Sequence, residues 1–240
     1  MTAPLVRRVL GAALDLAYPA RCVGCASFGA LLCDRCRVAL VPATGPGRCP
    51  NCSASWTEPL NCPRCQSWDG LDGCVAAFEM AGVARQLVHA LKYEYVTAAA
   101  PLMAAEVERF RDGPRPFDVA VAVPLHPSRQ RRRGFNQAGR ILDQLGWPGL
   151  PGRMVRGRRT HQQVGLGHRD RRANVAGAFD YSGGRLEGMV VGLVDDVVTT
   201  GATANECARV LKDHGARGVV SVAFARASFD LLRPDAPIVD

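Results

Sequence analysis

Four Cys-x-x-Cys pairs fall within 44 residues: Cys22/Cys25, Cys33/Cys36, Cys49/Cys52 and Cys62/Cys65. No other feature limits the possible folds so sharply. The spacing puts two thiols on one side of a tight knuckle, and two knuckles complete a tetrahedral four-sulfur set of the kind that suits zinc. The gaps, seven residues between the first two pairs and nine between the last two, can each be spanned by a short ribbon. Sequential pairing gives two zinc sites of four cysteines each. Interleaved pairing, or one zinc with spare thiols, meets the same spacing, and redox chemistry or disulfides also use Cys-x-x-Cys. The density of pairs favours zinc. Residues 22–75 show little hydrophobic periodicity and cannot fold by apolar burial alone, so metal affinity has to supply folding energy there. Cys74 and Cys207 have no partner at ligand spacing and read as ordinary buried thiols.

Disulfides need an oxidising compartment, and no secretion signal is evident. In "LVRRVLGAALDLAYPARC" the arginines sit inside the apolar pattern with Asp15 in its middle, while Leu5, Val9, Ala13 and Leu16 recur at helical spacing. Residues 1–21 therefore read as an amphipathic helix. No run of about 18 apolar residues exists, so no membrane span is expected. The cytoplasm is the expected compartment.

From about residue 76 cysteine all but vanishes, and apolar patterns separated by turns appear. "ARQLVHALKYEY" reads as a helix with Leu87, Leu91 and Tyr95 on one face and Lys92 beside them. "FDVAVAVPL" (117–125), "GMVVGLVDD" (188–196) and "GVVSVAFAR" (218–226) read as strands, and "FNQAGRILDQLGW" and "ATANECARVLKDHGA" as helices. Strands alternating with helices imply a mostly parallel α/β sheet. The expected organisation is a helix and cysteine-rich module over 1–75 and an α/β domain over 76–240.

The strand expected at 188–196 runs on as "VVGLVDDVVTTGATANECARVL". An apolar strand ends on two adjacent carboxylates, Asp195 and Asp196, and a Thr/Gly-rich turn leads into a helix. Ligands of open parallel sheets bind at the carboxyl ends of the strands, and helix N-termini bind phosphate. Carboxylates beside a phosphate cradle make sense if the ligand also offers hydroxyls. A sugar phosphate such as a ribose phosphate does both. A capping box of Thr203 with Glu206 is the plainer reading of part of this stretch, but it does not account for two consecutive aspartates.

"VVGLVDDVVTTGAT" resembles the binding motif for phosphoribosyl pyrophosphate (PRPP) of type I phosphoribosyltransferases. The whole chain resembles the ComF/GntX family, through the N-terminal helix, the four cysteine pairs, "LKYEY", "VPLHPSRQRRRGFNQA" and "RTHQQVGLGHRDRRANVAGAF". The resemblance implies a double zinc ribbon before a type I phosphoribosyltransferase-like parallel sheet flanked by helices. It further implies that Asp195 and Asp196 hold the ribose hydroxyls, that Thr199, Thr200, Gly201, Ala202 and Thr203 hold the 5′-phosphate, and that Mg²⁺ accompanies PRPP. The loop after the first core strand, with Arg131, Arg132 and Arg133, becomes a candidate for pyrophosphate. It is proline-rich where many such enzymes carry small residues. Arg169 and Arg171 belong to a long Arg-rich span at the place of a mobile lid.

Residues 129–172 hold twelve arginines against two aspartates, and the chain carries a net charge of +8. Guanidinium forks suit phosphate, pyrophosphate and nucleic-acid backbones alike. Surface charge is the plainer reading of the triple arginine, as a polar surface position is of His126, His161 and His168. Two functions of different class follow. One is a pentosyl transferase (a glycosyltransferase) using PRPP. The other is a non-catalytic protein that reads single-stranded DNA or DNA-uptake proteins through its zinc ribbons and arginines, since some family members are linked to competence. Aromatic residues for base stacking look sparse near the arginines, Phe135 and Trp147 only, which weakens the second reading.

Overall fold

A computed structural model describes residues 19–56, 58, 62–157 and 175–227. The expected N-terminal helix over 1–21 lies almost wholly outside them. Two short helices belong to the cysteine module, α1 (Asp34–Val38) and α2 (Pro63–Gln66). Strands β1 (Gly73–Glu79), β2 (Val119–Ala122), β5 (Val190–Val198) and β6 (Gly218–Arg226) form one sheet in the order β1-β6-β5-β2, with every neighbouring pair parallel. Helices α3 (Gly82–Tyr93) and α4 (Ala99–Val107) separate β1 from β2, and α5 (Pro127–Arg133) and α6 (Gln137–Leu142) follow β2. An antiparallel hairpin, β3 (Arg153–Arg156) with β4 (Phe179–Ser182), precedes β5, and α7 (Ala202–Asp213) links β5 to β6.

β5 and β6 fill the centre and are buried nearly throughout, which is why they read as apolar runs with little alternation. Their side chains still alternate between two cores. Val194 and Phe224 pack with Leu87 and Leu91 of α3, Met103 of α4 and Ile141 of α6. Val191, Leu193 and Ala223 pack with Cys207 and Leu211 of α7 and Phe179 and Tyr181 of the hairpin. Cys74 and Cys207 are fully buried thiols, as expected.

Several local expectations change. β1 starts at Gly73, so this edge strand begins inside the cysteine-rich stretch and joins it directly to the sheet. The "LKYEY" helix stops at Tyr93, and Tyr95 adopts φ 58 and is exposed rather than continuing the buried face. The triple-arginine stretch is helical rather than a loop. His126 starts α5, its ring nitrogen accepting from Ser128 N at 3.2 Å, Pro127 supplies a preset first φ, and Gly134 ends the helix at φ 75. Trp147 is buried edge-on against Phe117, with ring centroids 5.0 Å apart, and so is unavailable to a nucleobase.

The cysteines assemble sequentially. Cys22, Cys25, Cys33 and Cys36 form one cluster and Cys49, Cys52, Cys62 and Cys65 a second, each with all four sulfurs within 4.8 Å of one another. The Cys25–Cys33, Cys49–Cys65 and Cys52–Cys62 sulfurs are each 3.6 Å apart. A tetrahedron with Zn–S bonds of about 2.3 Å has edges of about 3.8 Å, whereas a disulfide needs about 2.05 Å. The surroundings also fit an anionic centre. In the first cluster hydrogen bonds from Ser27 and Arg35 pull the Cys25 thiol down to about 5, while burial pushes the Cys36 thiol up to about 12. At the second cluster burial raises the Cys52 thiol, and the charge of Arg226 pulls it back. Arg226 is 2% exposed, and its Nε and Nη2 find no hydrogen-bond acceptor among the described residues. A buried guanidinium of that kind needs a nearby negative charge, and four thiolates on a divalent ion carry a net charge of about −2.

Purified protein is expected to contain two zinc ions per chain by elemental analysis. A strong chelator should raise amide exchange across residues 19–72 to near-unfolded rates, because the metal supplies the folding energy of that stretch. Retained protection in metal-free protein contradicts this.

Candidate functional site

A cavity of about 480 Å³ opens where the chain leaves the carboxyl ends of β2 and β5. β5 continues to Val198, two residues past the expected end, so Asp195 and Asp196 lie inside the strand. Consecutive strand residues face opposite sides of a sheet, and the two carboxylates meet different neighbours. Asp196 faces the α3 layer and is 5% exposed. Lys92 Nζ of α3 stands 2.9 Å from its Oδ2. That approach is close enough for an ion pair but off the angle of a hydrogen bond, so Oδ2 is left with no hydrogen-bond donor among the described residues. Asp195 faces the α7 layer, where its charge and that of the buried Arg156 act on one another. Its Oδ1 accepts from Asp196 N at 2.8 Å. Asp195 keeps a narrow opening to the cavity but is otherwise enclosed. Burial first, and then the charge of Asp196, push its pKa well above the usual carboxylate range, while Lys92 opposes the shift.

The turn that follows is built on Gly201, which caps α7 at φ 80. A Cβ there would meet the Trp68 ring at 2.7 Å, so glycine is required twice over. Thr200 Oγ1 accepts from Ala202 N at 3.3 Å. Thr199, Gly201 and the first turn of α7, with Ala202, Thr203 and Ala204, line the cavity; Thr200 is buried behind them. The capping box is not formed: Gly201 is the N-cap, and Glu206 instead accepts from Gly177 N at 2.7 Å and pairs with Arg209.

Across from this turn, α5 presents arginines at helical spacing. Arg129, Arg132 and Arg133 line the cavity and Arg131 does not, as positions i, i+3 and i+4 share a face. Arg156 lines it too, with its guanidinium 5.1 Å from the Phe179 ring. Burial lowers the Arg156 pKa. Asn136 holds this wall to β2, donating from Nδ2 to Val123 O at 2.9 Å while its Oδ1 caps α6 at Ala138 N. The lining thus sets five cations, Lys92, Arg129, Arg132, Arg133 and Arg156, against two carboxylates. A cavity so lined can accept hydroxyl donors at its floor and anionic oxygens at both rims. Arg158, Arg159, Arg169, Arg171, Arg172, His161 and His168 lie outside the described residues.

Sequence reasoning does not single out Lys92 as a site residue, and it marks Arg156 only as one of the arginines of the lid span. The preference of a buried carboxylate for a cation is a usable signal, but nothing local says which of 30 basic residues answers it. An exposed aromatic group at the mouth escapes it as well. Tyr93 and Tyr95 are about half exposed. Tyr95 meets Phe135 edge-on at 6.4 Å, Arg133 stacks over Tyr93 at 5.3 Å and Arg140 over Phe135 at 5.7 Å.

No family model matches the chain. The DNA utilization protein YhgH of Salmonella typhimurium is 37% identical over 190 residues, which cover 71% of this chain and 80% of that protein. The chain belongs to the ComF/GntX family. Competence protein ComFC of Bacillus subtilis is 26% identical over 222 residues, 84% of each chain. Competence protein F of Haemophilus influenzae is 39% identical over 116 residues, and there the match spans about half of that protein, 51%. Solved structures that align in part include a hypoxanthine phosphoribosyltransferase of Staphylococcus aureus, with 12% identity, TM-score 0.32, and 61% of this chain and 68% of that one covered. A purine phosphoribosyltransferase of Pyrococcus horikoshii aligns at 16% identity and TM-score 0.30, over 62% and 96% of the two chains. Among the described residues of this ComF-family chain, no helix is long and apolar enough to cross a membrane.

The raised Asp195 pKa fixes a sign. A carboxyl that holds its proton more tightly when folded contributes fully to stability below its unfolded value of about 4, and that contribution fades as pH rises through the folded value. Asp195→Asn keeps the acceptor for Asp196 N and removes the charge. The variant is expected to melt above wild type at pH 7–8 by about 1 kcal/mol, roughly 2–4 °C, with the gap closing near pH 4. A lower melting point with an unchanged pH profile contradicts the assignment.

Proposed function

We propose that this protein binds PRPP together with Mg²⁺ and acts as a phosphoribosyltransferase. The observation that carries the reading is the Asp195–Asp196 pair, separated by Val197 and Val198 from a Thr-Thr-Gly turn and the N-terminus of a 12-residue helix. The ribose 2- and 3-hydroxyls donate to the two carboxylates, Asp196 Oδ2 being a buried acceptor that is ion-paired with Lys92 but takes no hydrogen bond among the described residues. The 5-phosphate sits on the turn and the first helical amides, where the helix dipole favours negative charge. Arg129, Arg132 and Arg133 face the pyrophosphate. Mg²⁺ bound with the substrate would supply part of the charge that offsets the pyrophosphate. In the transfer, the bond from the anomeric carbon to the pyrophosphate oxygen breaks, and pyrophosphate leaves with the electron pair. A nitrogen of the acceptor then bonds to that carbon and gives up its proton. The chain's part is to hold the sugar and to stabilise the charge that grows on the leaving group.

A second reading is favoured by the mouth of the cavity. Tyr93, Tyr95 and Phe135, interleaved with Arg133 and Arg140, make a stacking and phosphate-pairing surface of the kind that binds single-stranded nucleic acid. The relatives named for competence and DNA utilization fit that reading.

Calorimetry separates the two. Wild type is expected to bind Mg–PRPP, and the double variant Asp195→Asn/Asp196→Asn, folded, to bind at least tenfold more weakly, since each charge-assisted bond is worth ~1.5–3 kcal/mol. Equal affinity in the folded double variant removes the ribose assignment. Under the second reading, single-stranded DNA binds with a steep salt dependence that Tyr93→Ala/Tyr95→Ala weakens, and PRPP gives no heat.

A further inference from the structure

The second cysteine cluster reaches the turn at 199–201 through side chains that ligate nothing. Arg64 stands between Cys62 and Cys65 in α2. Its Nη1 donates to Thr199 O at 3.1 Å, and the side chain is buried, with 6% of the residue exposed. Trp68, three residues past the last cysteine, donates from Nε1 to Thr200 O at 3.2 Å and lies flush against Gly201. Asn205 of α7 completes the joint. Its Oδ1 accepts the amides of Asp69, Gly70 and Leu71 at 3.0–3.1 Å, and its Nδ2 donates to Asp69 Oδ1 at 2.7 Å. Neither Arg64 nor Trp68 lines the cavity.

We infer that Arg64 and Trp68 are positioning residues that set the turn 199–201 in the shape that binds phosphate, and that the second metal knuckle thereby controls the affinity of the site. The inference rests on the ribose phosphate reading. The physical reason is the planar trans peptide, in which C=O and N–H point opposite ways. Donors that hold Thr199 O and Thr200 O from the knuckle side turn the N–H groups of Thr200 and Gly201 away from the knuckle. Released carbonyls let those two peptides rotate, and an anion then has to order them as it binds. A knuckle whose role was only to close its own metal site needs neither a buried arginine between its ligands nor an indole N–H aimed at another segment.

The test uses full-length protein and three single variants. Trp68→Phe keeps an aromatic ring, though a smaller one, and loses the donor, Arg64→Met keeps length and loses charge and donor, and Arg64→Lys restores one charged donor. Metal content should stay at two ions per chain in each. Amide exchange across 199–204 should rise in Trp68→Phe and Arg64→Met without ligand. Their Kd for Mg–PRPP should rise about three- to tenfold, and Arg64→Lys should recover part of the loss. If wild type binds Mg–PRPP and both variants bind equally well with unchanged exchange, the inference fails. If wild type does not bind Mg–PRPP, the ribose phosphate reading fails, and exchange at 199–204 alone decides whether the knuckle holds the turn. Should one variant lose metal or fail to fold, the other carries the test.

Discussion

Two adjacent carboxylates in the middle of a parallel sheet are the constraint on which the rest of this structure turns. Because neighbouring strand residues face opposite layers, Asp195 and Asp196 each meet a cation from a different side. Lys92 comes from the α3 layer to Asp196, and Arg156 comes from the hairpin to the side of Asp195. The ends of two separate segments, α3 and β3, therefore converge on one point of β5. Burial and mutual repulsion still leave Asp195 reluctant to ionise. A carboxyl so disfavoured as an anion, lining a cavity, makes this point of β5 a candidate binding site.

The cysteine module stands on a different balance. It buries few large apolar side chains and relies on two four-sulfur clusters instead. Each cluster is tied into the larger domain in its own way. The first packs Cys22 and Cys36 with Leu32 and Leu40 into the α3 and α4 core. The second meets the sheet through the buried Arg226 and the turn at 199–201 through Arg64 and Trp68. Metal held at these clusters would therefore bear on the turn at 199–201 as well as on the cysteine-rich stretch that leads into β1.

Much of this is legible in the sequence, for identifiable reasons. Cys-x-x-Cys spacing dictates knuckles, and although it leaves their pairing open, the short ribbons resolve it sequentially. β5, α7 and β6 are readable because buried parallel strands are long apolar runs and Gly201 marks a turn no other residue can make. β1 is hard to see because "GCVAAFE" is short, contains a cysteine and abuts the cysteine-rich stretch. α5 resembles a loop because its prolines and arginines look like a solvated turn, although proline at the first helical position favours a helix. The aromatic mouth is invisible because Phe135 lies far along the chain from Tyr93 and Tyr95 and meets Tyr95 only in the folded protein. For the same reason Lys92 reads as one of many surface cations.

The central claim is that one cavity holds both the hydroxyls and the phosphate of a ribose phosphate. A crystal structure of the wild-type protein grown with Mg²⁺ and PRPP addresses it most directly. The account predicts the 5-phosphate on the amides of residues 200–204, the ribose hydroxyls on Asp195 and Asp196, and the pyrophosphate toward Arg129, Arg132 and Arg133. A ligand held by the arginines alone, with its sugar off the carboxylates, would contradict it, as would an empty cavity at saturating PRPP.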